Sequence, residues 1–161
     1  MMNSIQSEHL LKLHNDATSA LNTVTAYGNG YIEVNRVSHT QAIAFGPEGA
    51  IDHWPVASAA DITTALLRLA AGIPEPVNDP LAFLDAPEAA AAALPPGAPE
   101  VLLVGTGTRQ VFLPPQVLAP LLSAGLGIET MDTQAASRTY NILMAEGRRV
   151  RTALIPQENR S

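Results

Sequence analysis

The chain has no cysteine. That absence removes disulfide frameworks, zinc ribbons, iron–sulfur clusters and thiol catalysis together, and it fits a reducing compartment. Aromatics are scarce at 4% and charged residues reach only 15%, so aliphatics must fill the core. No apolar run attains the ~18 residues of a membrane span; the best, Val117 to Ile128, is broken by Pro120, Ser123, Gly125 and Gly127. The amino terminus lacks a basic region followed by an apolar one, so neither a signal peptide nor membrane insertion is expected. The expected location is cytoplasmic. His9, His14, His39 and His53 show no ligand spacing such as H-E-x-x-H, no G-x-S-x-G elbow occurs, and the carboxy-terminal third holds no histidine to act as a base. No catalytic residue, metal or cofactor is therefore expected. The enzyme question stays open, with the balance toward a non-enzyme.

What is present suits one folded domain spanning residues 1–161, with 47% apolar residues. At this length roughly 70% of the unfolded chain's surface can be buried, so no staple is needed. The net charge of −6 opposes a general grip on nucleic acid. The charge is unevenly spread. Residues 1–104 carry three basic and eleven acidic side chains, a net of −8, while residues 105–161 carry six arginines against four acids, a net of +2. The carboxy-terminal third is thus the place for an anionic ligand or an acidic partner, unless its arginines merely form surface ion pairs.

Residues 1–26 read as a polar extended arm, closing in the turn Tyr27-Gly28-Asn29-Gly30. Tyr31 to Asn35 alternates as a half-buried strand. Ala42 to Phe45 and Ala50 to Val56 read as two more, joined through Gly46-Pro47-Glu48-Gly49. These strands predict a small antiparallel meander. Apolar residues at 62, 65, 66 and 69 predict a helix capped by Asp61 and stopped at Gly72. Residues 73–99 hold seven of the thirteen prolines, and about 73–98 reads as an insertion or linker, with a short alanine-rich helix boxed by Asp85 and Glu88. Val101 to Val104 is a continuous apolar run, the mark of a strand buried on both faces. A helix from Gln116 to Ala124, opened by Pro115 and kinked or broken at Pro120, follows. Next come a strand at Gly127 to Met131, a helix from Asp132 or Thr133 to Glu146, and a strand at Arg149 to Ile155. The order β-α-β-α-β implies a parallel or mixed sheet with right-handed crossovers.

Two segments fall at the carboxyl ends of these strands, where open α/β sheets bind ligands. One is Gly105-Thr106-Gly107-Thr108-Arg109. Its spacing fails G-x-G-x-x-G, since Gln110 stands where the third glycine belongs, and no lysine is near, so neither a dinucleotide fold nor a P-loop follows. Two glycines and the donors of Thr106, Thr108 and Arg109 remain; the plain alternative is a tight turn. The other is Met131 to Asn141. Gln134, Arg138 and Asn141 share a polar stripe, and Ala136, Tyr140 and Leu143 an apolar one facing the sheet. Arg138 gains nothing from the helix dipole so near the helix start. An anion near Asp132 and Thr133, or a structural pair with Asp132 or Glu129, would hold it.

The stretches Pro99 to Gly107, Met131 to Thr133, Arg138 to Asn141, Glu146 to Arg148 and Ala153 to Pro156 resemble the Mth938-like family, a domain of unknown function. Tyr27-Gly28, the strand from Tyr31, and Trp54 fit the family's amino-terminal half. The resemblance implies a three-layer α/β fold around a mixed sheet, with the amino-terminal meander and the carboxy-terminal β-α-β-α-β unit. It also implies a function, since the family's mitochondrial relatives act as assembly factors for respiratory complex I. Two departures stand out: residues 73–98 are longer than the usual connection, and Ser137 occupies a position where relatives often have cysteine. The resemblance thus points to a non-enzymatic binding or assembly module with a protein partner at a membrane complex. The alternative is a small anionic-metabolite-binding protein or enzyme using Gly105–Arg109 and the Asp132–Asn141 helix start. Leu113, Leu121 and Leu122 offer apolar surface for a homodimer, or else belong to the core.

Overall fold

The computed structural model describes residues 21–74 and 94–158. Three strands, β1 (Val24–Gly28), β2 (Tyr31–Val34) and β3 (Val37–His39), form an antiparallel meander in that order. The arm expected over residues 1–26 therefore ends in a strand; residues 1–20 lie outside the described part. Asn29-Gly30 supplies the two-residue loop between β1 and β2, with Gly28 paired to Tyr31. Asn35 and Arg36 make the next loop, both with positive φ, 53° and 68°, as a type I′ turn requires. Asn35 is thus a turn residue, not the end of a strand.

The second sheet has five strands: β4 (Ile43–Phe45), β5 (Asp52–His53), β6 (Val101–Gly105), β7 (Gly127–Met131) and β8 (Val150–Leu154), in the order β5-β4-β8-β6-β7. β6 runs parallel to both β7 and β8, whereas β4 is antiparallel to β8. The expected meander is corrected here: β3 takes the third place, and β4 leaves to pair with β8. The Ala50–Val56 strand shrinks to two residues, because Trp54 turns inward, fully buried, with its indole N–H donating to the Leu66 carbonyl at 2.9 Å.

Among the described residues, three helices cover this sheet: α1 (Thr64–Ala70), α2 (Pro115–Ser123) and α3 (Thr133–Ala145). Thr63, not Asp61, caps α1, its side chain accepting from Leu66 N at 3.2 Å. Asp61 instead closes a preceding 3-10 turn (Ala59–Asp61), accepting from the N–H groups of Ala57 and Ser58 at 3.1 Å. The late start shifts the buried face to Leu67 and Ala70 and leaves Leu69 57% exposed. α2 continues through Pro120, which is exposed together with Gln116, so water can replace the missing backbone bond. The alanine-rich helix expected near residues 85–94 falls outside the described residues.

The layers follow from strand parity. On β6, Leu102 and Val104 face α1 and α2 in one core with Ala153, Leu67 and Leu121. Leu103 faces the opposite way into a second core with Ala136, Tyr140, Met144 and the meander residues Ile32 and Val34. All of these are 0–7% exposed, as a run apolar on both sides demands. The result is a three-layer α/β fold: two helices, the mixed sheet, then α3 with the meander.

Candidate functional site

β6 ends where α3 begins, and glycine makes that approach feasible. A Cβ on Gly105 would sit 2.9 Å from both Thr133 Oγ1 and a Leu154 methyl, closer than real Cβ atoms come, and 3.0 Å from Thr133 Cα. Gly107 adopts φ 102°, a conformation nearly closed to other residues. So Gly105-Thr106-Gly107 lets a strand end lie flat against a helix start.

Nearly every polar group expected to serve a ligand has an internal partner. Thr133 is fully buried; its hydroxyl accepts from Gly107 N at 2.9 Å and donates to the Ile155 carbonyl at 2.5 Å. Its own N–H returns to the Gly107 carbonyl at 2.9 Å. Thr106 N donates to Met131 O at 2.9 Å, and its hydroxyl donates to Arg109 O and accepts from Val111 N. Thr108 accepts from Glu158 N at 3.1 Å. Asp132 is the N-cap of α3, accepting from Ala135 N at 2.9 Å. Asn141 binds the backbone of β1, accepting from Val24 N at 3.0 Å and donating to Val24 O at 2.8 Å. Its place on the polar stripe is thus taken up by the meander. Ser137 is fully buried and donates to Thr133 O at 2.7 Å.

Arg109 and Arg138 are the exceptions. Both are exposed, and among the described residues neither forms an ion pair. Asp132 and Glu129 therefore do not hold Arg138. The expected apolar stripe is in place: Ala136 and Tyr140 are fully buried and Leu143 packs beside them. Tyr140 meets Phe45 edge-on at 5.0 Å and donates to Asn22 O at 2.7 Å. Burial pushes its phenol far above the ordinary value, against the lowering field of Arg151.

The loop that leaves this stitched corner carries what the sequence reading passed over. Phe112 is 81% exposed and its neighbour Val111 41%. The one available signal was an aromatic residue, in a chain with few, placed before Pro114-Pro115 where no helix or strand period claims it. Of the trio read as a dimer surface or core, Leu113 and Leu121 are core and only Leu122 is exposed, at 48%. A concavity of about 820 Å³ lies beyond the end of β8, but Thr40–Ala42, His53, Asp61 and Ile155–Glu158 are among its lining and none of residues 105–109 or 132–141 is. Among the described residues, no three His, Asp or Glu side chains gather as metal donors, and no helix is long and apolar enough to cross a membrane.

A mixed five-stranded sheet between two helices and a helix-plus-meander layer is the architecture of Mth938-like domains. The chain is 66% identical to the solution structure of a Mth938-like domain from Bordetella pertussis, with a TM-score of 0.70 over 87% of this chain and 89% of that one. A family model described as a protein of unknown function (DUF498/DUF598) matches residues 24–155, and the chain belongs to that family. A mouse protein named NADH dehydrogenase (ubiquinone) 1 alpha subcomplex assembly factor 3 is 44% identical over 57 residues, 35% of this chain and 31% of the relative. A "13 kDa major membrane protein" of Francisella tularensis is 35% identical over 57 residues, 35% of this chain and 46% of that protein. The matched segments thus span less than half of these curated relatives.

Proposed function

We propose that this chain is a non-enzymatic binding module that assists assembly of a membrane respiratory complex, acting from the cytoplasm. The observation that carries this reading is Phe112, held 81% exposed beside Val111 on a loop anchored by the Thr106 bonds to Arg109 and Val111. An aromatic side chain presented in water on a fixed loop costs hydration free energy in the free protein and gains it back at an interface, where aromatics serve as anchors. Exposed Arg109 lies three residues away and supplies a charge for the rim. The names of the mouse and Francisella relatives support a partner at a membrane.

The test is genetic and biochemical. The gene is deleted in its host, then restored as wild type or as Phe112→Ser, and assembled NADH:quinone oxidoreductase is measured in the membranes. Deletion should lower the assembled complex, and Phe112→Ser should fail to restore it while the purified variant melts like wild type. Undiminished complex in the deletion strain would overturn the proposal. A second reading, an anionic metabolite at Gly105–Arg109 and the start of α3, draws support from Arg109 and Arg138, which no carboxylate pairs among the described residues. A thermal-shift screen of phosphorylated and carboxylated metabolites addresses it: a stabilising hit that Arg138→Met abolishes favours this reading, and a screen without hits removes it.

A further inference from the structure

Arg151 sits on β8, a central strand, in register with the fully buried Leu102 of β6. Its side chain passes between the loop after β4 and the end of α1, where two residues lack a Cβ. A methyl on Gly46 would lie 3.1 Å from Arg151 Cγ, and one on Gly72 3.5 Å from Nε. Nε donates to the Ala70 carbonyl at 2.7 Å. That bond accounts for one of the guanidinium's five N–H donors. Among the described residues the two Nη groups donate to no protein acceptor, and no carboxylate lies within 4.0 Å. Neither Nη is a buried atom, so both reach solvent. The fork is therefore met by water in the free protein and open to an anionic ligand.

Arg151 lines a cleft of about 710 Å³ at the end of the sheet opposite to Gly105, also lined by Arg148, Arg149 and Glu48. Arg148 and Arg149 are exposed and share one carboxylate, Glu100, at 3.2 and 3.8 Å. Among the described residues, three guanidiniums here meet two carboxylates, Glu48 in the lining and Glu100 at the rim. Burial pushes the pKa of Arg151 down, and Asp52 draws it back from beyond contact distance.

We propose that this cleft binds a phosphoryl group, held through the Nη fork of Arg151 with Arg148 and Arg149 at the rim. A tetrahedral dianion matches the bidentate geometry of the open Arg151 guanidinium. The cleft has room for a phosphoryl group carried by a small phosphomonoester or by a phospholipid headgroup.

The full chain is titrated with sodium phosphate, against sodium chloride of equal ionic strength, while its amide NMR signals are followed. Phosphate should give saturating shifts at Gly46, Gly72, Gly97 and Gly147 and leave Gly105 and Gly107 in place. Arg151→Met should weaken binding at least about tenfold, the scale of a lost charge-assisted pair, and Arg151→Lys by less. Because Arg151→Met also loses the Ala70 bond, the mapping on wild type decides if that variant fails to fold. Glycerol phosphate and vesicles of phosphatidate in phosphatidylcholine then separate the sources. Phosphate-reversible co-sedimentation with phosphatidate assigns a headgroup, and glycerol phosphate binding without co-sedimentation assigns a free phosphomonoester. No saturable shift beyond chloride, shifts centred on residues 105–109, or shifts unchanged in a folded Arg151→Met would each overturn the proposal.

Discussion

Thr133 shows how a residue suited to a ligand can be consumed by the fold. Its hydroxyl closes Gly107 on one side and Ile155 on the other, wholly out of water. Thr133→Val keeps the shape but leaves a buried donor and a buried acceptor unpaired, so it should cost about 2–4 kcal/mol in chemical denaturation. Thr133→Ser keeps both bonds and should cost far less. Arg138 behaves oppositely. With no carboxylate partner among the described residues and an exposed place in the second turn of α3, Arg138→Met should leave the melting temperature nearly unchanged. Tyr140 makes stability depend on alkaline pH. Its folded pKa is raised, by burial above all, from an ordinary value of 10.0. Below that value the phenol is neutral in both states and contributes no slope. Above it the unfolded chain releases a proton that the folded chain keeps, and stability falls. Urea midpoints between about pH 9 and 11 should therefore drop more steeply in wild type than in Tyr140→Phe, by up to about 1.4 kcal/mol per pH unit. Arg151, whose pKa burial lowers while Asp52 and Tyr140 draw it back, has the opposite sign.

At the scale of elements, the hairpin between β2 and β3 carries a measurable strain. Arg36 has φ 68° at a turn position that glycine fills without a Cβ clash. Arg36→Gly should raise stability by up to about 1 kcal/mol, after the larger unfolded-state entropy of glycine is subtracted; a lower denaturation midpoint would contradict the turn assignment. The same hairpin hides β3 in the sequence. A two-residue loop without glycine gives little local signal, so Tyr31 to Asn35 read as one strand and β3 went unseen. Val101 to Val104 was legible because a run apolar at every position has one economical home, the middle of a covered sheet. The start of α1 was not, because Asp61 and Thr63 are both good caps and only packing of Trp54 and Ile62 decides between them.

At the scale of the molecule, residues 73–98 read as an insertion. Ile73 is 6% exposed in the first core and Leu94 packs against it, so the replaceable part begins after Pro74. We expect a chain with residues 75–93 replaced by a short Gly/Ser linker to keep a single cooperative thermal transition with a melting temperature within a few degrees of wild type. A broad, non-cooperative melt would show that the segment completes the core.

By itself the sequence determined the order of elements in the carboxy-terminal part of this protein. Its apolar runs, helix caps and glycine stops dictate β-α-β-α-β, because period and punctuation are local properties of neighbouring residues. It also determined that Gly105-Thr106-Gly107 stands at a strand end beside the start of a helix. Only the tertiary structure decided what those groups do. Whether Thr133, Asp132 or Asn141 meets a ligand or a carbonyl depends on atoms 22 residues away at Ile155, three away at Ala135 and 117 away at Val24. Nor does any local pattern reveal that Arg151, one alternation among several in the last strand, runs between Gly46 and Gly72 with its fork unpaired among the described residues. Hydrogen-bond capacity is a property of a residue, but its use is settled by whichever partner the fold brings within about 3 Å.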